Sequence, residues 1–155
     1  MITDPSKFSD VADALGISEP AFVEKDYYAV QLLKLVSEIS SEDYDIIFSG
    51  GTCLSKAYQN TERMSEDLDI KFVERVPGRT KSHRKSLGKV VLDKIAQSPD
   101  FKLVNEHYRD VRHVQVFDIE YPKSYAALAL RPRLKLELVE KELYQPTRDF
   151  SVCSM

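Results

Sequence analysis

A pair of glycines, Gly50 and Gly51, lies within the segment Ser49–Thr52, which directly follows a short apolar run, Ile46–Phe48. An apolar run of this length that stops at glycines is typical of a buried strand entering a tight turn. Residues 52–59 favour a helix, and glycines ahead of a helix allow close approach to its free backbone N–H groups. The segment therefore suits a phosphate group, although a Gly–Gly pair on its own is more often only a turn.

The next motif is an Asp-x-Asp pair on a segment that alternates between polar and apolar residues. The alternation over Leu68–Phe72 predicts a half-buried strand, on which Asp67, Asp69 and Lys71 share one face. Two carboxylates at this spacing repel each other, and a hard divalent cation such as Mg²⁺ is their natural partner. A solvated strand face is the alternative for this motif alone. Its combination with the glycine turn predicts a site for a metal and a phosphate.

A third carboxylate is available on a later alternating segment, 133–138. Arg133, Lys135 and Glu137 share its polar face, and leucines occupy the positions between them. Three carboxylates from two strands can hold metal ions for phosphoryl or nucleotidyl transfer. Glu120 is the main rival as third acid, and Glu137 is preferred because Lys135 accompanies it. Arg131 and Arg133 fit either a phosphate contact or a solvated strand edge.

Helical patterns occupy the front of the chain, and strand patterns fill its second half. This order predicts an α+β (mixed α/β) fold, with helices packed on one face of a mixed sheet. Gly16 is expected to stop the first helix, and Ser18 to cap the second, which has Pro20 in its first turn. The predicted helices cover 8–15, 20–40, 52–59 and 79–97, and the predicted strands cover 46–48, 68–72, 101–105, 112–121 and 133–139.

Length and composition narrow the class of protein. The 155 residues suit one domain, and the net charge of −3 argues against a strongly basic nucleic-acid coat protein. A basic stretch at 71–90 is either a solvated helix face or a surface for a polyanion such as a triphosphate or RNA. Two cysteines and the absence of an apolar leader or a run of about 18 apolar residues predict a cytoplasmic protein without a membrane span.

The order of these motifs resembles that of the DNA polymerase β-like minimal nucleotidyltransferases. Several segments narrow the resemblance to the AbiEii/AbiGii toxin family, and the strand with Lys135 and Glu137 is similar to that family's next motif. The segments that carry the resemblance are Glu24–Tyr28 with Gln31–Leu33, Phe48–Ala57 and Arg63–Asp69.

The resemblance implies a role for each motif residue. The nucleotide-binding residues that it implies are Ser49, Gly50, Gly51, Thr52, Arg63 and Ser65. The catalytic residues that it implies are Asp67, Asp69, Lys135 and Glu137. Of these, Asp67, Asp69 and Glu137 would bind Mg²⁺ or Mn²⁺, and Lys135 would contact phosphate or assist proton transfer.

The same resemblance implies an Mg²⁺-dependent transfer of a nucleoside monophosphate from a nucleoside triphosphate. The acceptor would be tRNA, and the protein would be a toxin paired with a separate antitoxin. Transfer to a hydroxyl of a protein or a small molecule is one alternative, and a catalytically weak domain that mainly binds a protein partner is another. We expect one catalytic domain over 1–155, with a helical segment 1–44, a core 45–140, and no C-terminal helical region of the kind usual in the family.

Overall fold

A computed structural model describes residues 4–58, 66–75, 81–109, 114–143 and 146–154, and within them four helices and five strands form an α+β fold. The predicted fold class is therefore confirmed. The elements are α1 (Ser6–Leu15), α2 (Pro20–Ser37), β1 (Tyr44–Ser49), α3 (Gly50–Tyr58), β2 (Asp67–Glu74), α4 (Lys81–Ala96), β3 (Lys102–Arg109), β4 (Val114–Glu120) and β5 (Leu134–Glu140).

The five strands form one mixed sheet in the order β1-β2-β5-β4-β3. The last strand in sequence, β5, lies between β2 and β4, parallel to the first and antiparallel to the second. β1 pairs with β2, and this pairing is antiparallel. Because β5 inserts beside β2, residues almost seventy positions apart in sequence become direct neighbours.

One face of this sheet forms the core. The burial of β2 and β5 alternates as their sequences predict, with Leu68, Ile70 and Phe72 inside and Asp67 and Asp69 on the other face. The inward side chains of both strands join those of α2 and α4 in one apolar cluster. The alternation continues from Leu134 to Leu138 in β5, so the leucines of that strand face the core while Lys135 and Glu137 lie on the opposite face.

Two details of the helix starts differ from the sequence-based expectation. Glu19, not Ser18, is the N-cap of α2, because Pro20 occupies the first helical position and pushes the residue before it into an extended conformation. The glycine pair is not a separate turn, since Gly50 and Gly51 already belong to α3. None of the described helices combines the length and the apolar composition that crossing a bilayer requires.

The end of α1 agrees with the prediction. Gly16 adopts a left-handed conformation with φ of 68°, and its N–H donates to the carbonyl groups of Ala12 and Asp13. Residues other than glycine rarely adopt this backbone conformation. The backbone conformation, and not contact with neighbouring atoms, therefore favours glycine at position 16. A Cβ at this position would meet no atom within 4 Å.

We predict that Gly16→Ala lowers the free energy of unfolding by about 1–2 kcal/mol, the cost of holding a Cβ in the left-handed region. Gly16→Asn is the matched control and should lose less, because asparagine tolerates this conformation better than other residues. Urea denaturation followed by circular dichroism measures both. Equal stability of Gly16→Ala and the wild type would contradict a left-handed Gly16.

Candidate active site

The centre of the site is a contact between the backbone of Gly50 and the carboxylate of Asp69. Gly50 has φ of 78°, and a Cβ placed on it would lie 1.9 Å from Asp69 Oδ2. Ser49 pairs with Asp69 in the antiparallel register of β1 and β2, and its hydroxyl donates to the Asp69 carbonyl at 3.2 Å. The chain therefore begins α3 directly beside a carboxylate, with the helix N-terminus at the same edge of the sheet.

The parallel pairing of β2 and β5 brings the remaining predicted catalytic residues to the same place. Asp67 is opposite Lys135, and Asp69 is opposite Glu137. Lys135 Nζ lies 3.3 Å from Asp67 Oδ2 and also forms an ion pair with Glu137. The structure thus unites all four predicted catalytic side chains on one face of two adjacent strands.

Thr52 adds a further link between α3 and β2. Its side chain is buried, and its hydroxyl donates to the backbone carbonyl of Asp67. Of the predicted nucleotide-binding residues, Ser49, Gly50, Gly51 and Thr52 therefore lie at the junction of β1 and α3, next to the carboxylates. Arg63 and Ser65 lie outside the described residues.

The carboxylates of the site repel one another. Burial raises the pKa of Asp69, and the negative charges of Glu137 and Asp67 raise it further, against the opposing effect of Lys135 and Lys71. The charged form of Asp69 is therefore less favourable in the folded protein than in water.

Lys135 is held as a cation between two of these carboxylates. Burial lowers the pKa of its ammonium group, but hydrogen bonding to Glu137 and attraction to Asp67 and Glu137 outweigh burial, so that the pKa is raised. A lysine in this state can neutralise phosphate charge, and it is a poor proton acceptor at neutral pH.

The chemistry of the donors fits a divalent metal ion. Carboxylate oxygens are the ligands that Mg²⁺ prefers, and the raised pKa of Asp69 marks a position where added positive charge is favourable. In the described part of the chain, no three carboxylate, histidine or cysteine side chains already surround a point at ligand distances. Arg131 and Lys135 each contact one oxygen of Asp67.

Glu120 lies away from this centre. It pairs with Lys102 across β3 and β4, and its carboxylate contacts Arg133 at 3.3 Å. Glu137, in contrast, is the register partner of Asp69. The geometry therefore favours Glu137 over Glu120 as the third acid.

The structure adds Arg131 to the site. Its guanidinium Nη1 lies 2.8 Å from Asp67 Oδ1, whereas Arg133 pairs with Glu120. The sequence left both arginines undecided between a phosphate contact and a solvated edge. Their difference depends on the irregular connection between β4 and β5, for which no sequence pattern predicted a path.

Three adjacent charged residues of α2, Glu24, Lys25 and Asp26, are buried, which sequence reasoning missed. Glu24 accepts hydrogen bonds from the backbone N–H groups of Ser124 and Tyr125 at 2.7 and 3.0 Å. The other two form ion pairs, Lys25 with Glu66 and Asp26 with Lys56. A signal was present in the sequence, because α2 is apolar on almost every side and such a helix is expected to be buried.

Comparison with known proteins finds a match between this chain and one family model. No curated protein matches the chain. The sequence model of the family described as nucleotidyl transferase AbiEii toxin, Type IV TA system, matches residues 32–155, which is most of the chain and includes β1 to β5. This match implies nucleotidyltransferase activity. The chain belongs to the AbiEii family of nucleotidyl transferase toxins of Type IV toxin–antitoxin systems.

Proposed function

We propose that this protein transfers a nucleoside monophosphate from a nucleoside triphosphate to an acceptor hydroxyl, with Mg²⁺ or Mn²⁺ as the metal. The observation that carries the proposal is the convergence of the α3 N-terminus with Asp67, Asp69, Lys135 and Glu137 at one edge of the sheet. Membership of a nucleotidyltransferase family supports the reaction class. In the reaction, the acceptor oxygen bonds to the α-phosphorus, the bond from that phosphorus to the oxygen bridging to the β-phosphorus breaks so that pyrophosphate leaves, and the proton of the acceptor hydroxyl passes to water.

The acidic and basic side chains of the site would have different roles in this reaction. Asp67, Asp69 and Glu137 would hold the metal, which when bound offsets the negative charge of the phosphates and of the attacking oxygen. The free backbone N–H groups at the start of α3, which lies beside Asp69, would bind a phosphate of the nucleotide. Lys135 would contact the triphosphate through its charge, and its raised pKa keeps it protonated for that role.

We further propose that the acceptor is tRNA, that the protein acts in the cytoplasm, and that a separate antitoxin protein binds it. The family supports a toxin with a cognate antitoxin. A tRNA acceptor suits the open polar face of β2 and β5, because a macromolecule can reach carboxylates that line a sheet face rather than a closed cavity.

The acceptor can be identified by measuring whether RNA or protein incorporates label from a nucleoside triphosphate. We expect the protein, incubated with each labelled nucleoside triphosphate, Mg²⁺, total RNA and total protein, to transfer label to RNA of tRNA size. Chelation of the metal by EDTA should abolish the transfer. Label in the protein fraction alone would contradict the tRNA acceptor, and label in neither fraction would contradict the nucleotidyltransferase activity on these acceptor classes.

Asp69→Asn should lower the transfer rate by at least ~100-fold, because a lost metal ligand removes several kcal/mol of transition-state stabilisation. The same change should raise the melting temperature of the metal-free protein. Since the pKa of Asp69 is raised in the folded state, the folded protein binds the proton more tightly, and neutralising this carboxylate is favourable at neutral pH.

Asp45→Asn is the matched control for this variant, because Asp45 is an exposed carboxylate on β1 that pairs with Arg75 away from the site. It should transfer at the wild-type rate. Radioassay and calorimetry in EDTA give the two readouts. Wild-type transfer by Asp69→Asn would rule out its role as a metal ligand.

Glu137→Gln and Glu120→Gln test the third acid, since each keeps the volume of the side chain and removes its charge. We expect Glu137→Gln to lose transfer by at least ~100-fold even with excess Mg²⁺, for the same loss of metal binding. Glu120→Gln should remain within about twofold of the wild type, as expected for loss of an exposed ion pair outside the site. The reverse result would assign the third acid to Glu120, and activity in both variants would contradict a three-carboxylate mechanism.

A further inference from the structure

Both oxygens of Asp67 contact cationic side chains. Arg131 Nη1 lies 2.8 Å from Oδ1, and Lys135 Nζ lies 3.3 Å from Oδ2. The two cations differ in how firmly they are held. The Arg131 side chain is 60% exposed, whereas that of Lys135 is 20% exposed and is also paired with Glu137. A metal that binds Asp67 competes with both cations for its oxygens, and Arg131 is the easier of the two to displace.

The main chain of Arg131 is held more firmly than its side chain. The buried Lys25 Nζ donates a hydrogen bond to the Arg131 carbonyl at 2.8 Å. Glu66 Oε2 accepts a hydrogen bond from the Arg131 N–H at 2.9 Å and forms an ion pair with Lys25. Two charged side chains thus hold both peptide groups of one residue at the rim of the site.

Stability alone does not account for the Lys25–Glu66 ion pair, because burying charged groups costs free energy. The Lys25 side chain is 1% exposed, and a buried ion pair often contributes less to stability than apolar residues of the same volume. Its geometry is specific, however, because the same Glu66 oxygen contacts both the Lys25 ammonium and the Arg131 amide. Positioning of Arg131 is a role that an apolar pair of side chains would not supply.

We propose that Arg131 binds the triphosphate of the incoming nucleotide, and that Lys25 and Glu66 are positioning residues that hold its main chain beside Asp67. The inference rests on the proposed function, which it deepens by assigning a phosphate ligand. When the metal and nucleotide occupy Asp67, the guanidinium moves from the carboxylate to the phosphate oxygens. Its planar set of donors suits a phosphate as well as a carboxylate, so the exchange preserves its charge-assisted hydrogen bonds.

Arg133 provides the matched control. It lies two residues further along the same connection, is also partly exposed, and pairs with Glu120 rather than with Asp67. If the loss of one positive charge from this region is enough to weaken triphosphate binding, Arg131→Gln and Arg133→Gln should both show the effect. Only the loss of Arg131 should remove a group that touches a predicted metal ligand.

The first experiment measures the dissociation constants of the four nucleoside triphosphates in Mg²⁺, by calorimetry, for the wild type, Arg131→Gln and Arg133→Gln. We expect Arg131→Gln to weaken binding at least ~10-fold, the effect of losing a hydrogen bond to a charged group. Arg133→Gln should stay within about twofold, as expected for an exposed ion pair. Equal binding by Arg131→Gln and the wild type would overturn this inference alone, whereas a wild type that binds no triphosphate would overturn the proposed function and this inference with it.

The second experiment tests positioning with a double-mutant cycle. Lys25→Met should weaken triphosphate binding several-fold in the wild type, and have almost no further effect in Arg131→Gln, because it acts through that residue. A purely structural role predicts a lower melting temperature with equal effects on binding in both backgrounds, and would overturn the assignment.

Glu66→Gln is the second variant for the cycle, in case Lys25→Met fails to fold. It retains the shape of the side chain and removes the charge that holds Lys25. We expect the same non-additive loss of binding with Arg131→Gln. Additive losses in this cycle would contradict a positioning role for the pair.

Discussion

The close contact between Gly50 and the Asp69 carboxylate sets the geometry on which the site depends. It requires a residue without a Cβ, because the position of that atom is already occupied by the carboxylate. It also requires the register that pairs Ser49 with Asp69, since a shift by one residue would turn the carboxylate to the apolar face. The strand register therefore places the start of α3 against Asp69, and this close approach is possible because residue 50 is glycine.

Over Asp67–Phe72 of β2 and Leu134–Leu138 of β5, the charged residues lie on one face and the buried apolar residues on the other. Leucine, isoleucine and phenylalanine side chains on one face supply the burial that stabilises the sheet. The opposite face holds Asp67, Asp69 and Glu137, whose mutual repulsion is only partly offset by Lys135 and Arg131. The apolar core that stabilises the sheet and the carboxylates of the candidate site therefore lie on opposite faces of the same two strands.

Helix α2 connects the core to the irregular segments around the site. Its apolar residues pack in the central cluster, while Glu24 holds the connection between β4 and β5, and Lys25 holds Glu66 at the start of β2. Asp26 reaches α3 through its ion pair with Lys56. Three consecutive residues point in different directions on a helix, so one buried turn of α2 fixes three separate segments.

Local patterns in the sequence determined the strands, the two faces of β2 and β5, the glycine stop after α1, and the residue types gathered at the site. They did so because alternation and helical periodicity record which side of each element avoids water. Only the tertiary structure decided that β5 lies next to β2, which sets Glu137 beside Asp69 and leaves Glu120 with Arg133. It alone also decided that Lys25 contacts the Arg131 carbonyl and that the Arg131 side chain contacts Asp67. Strand order and the path of an irregular connection depend on contacts between distant residues, and no local period in the sequence encodes such contacts.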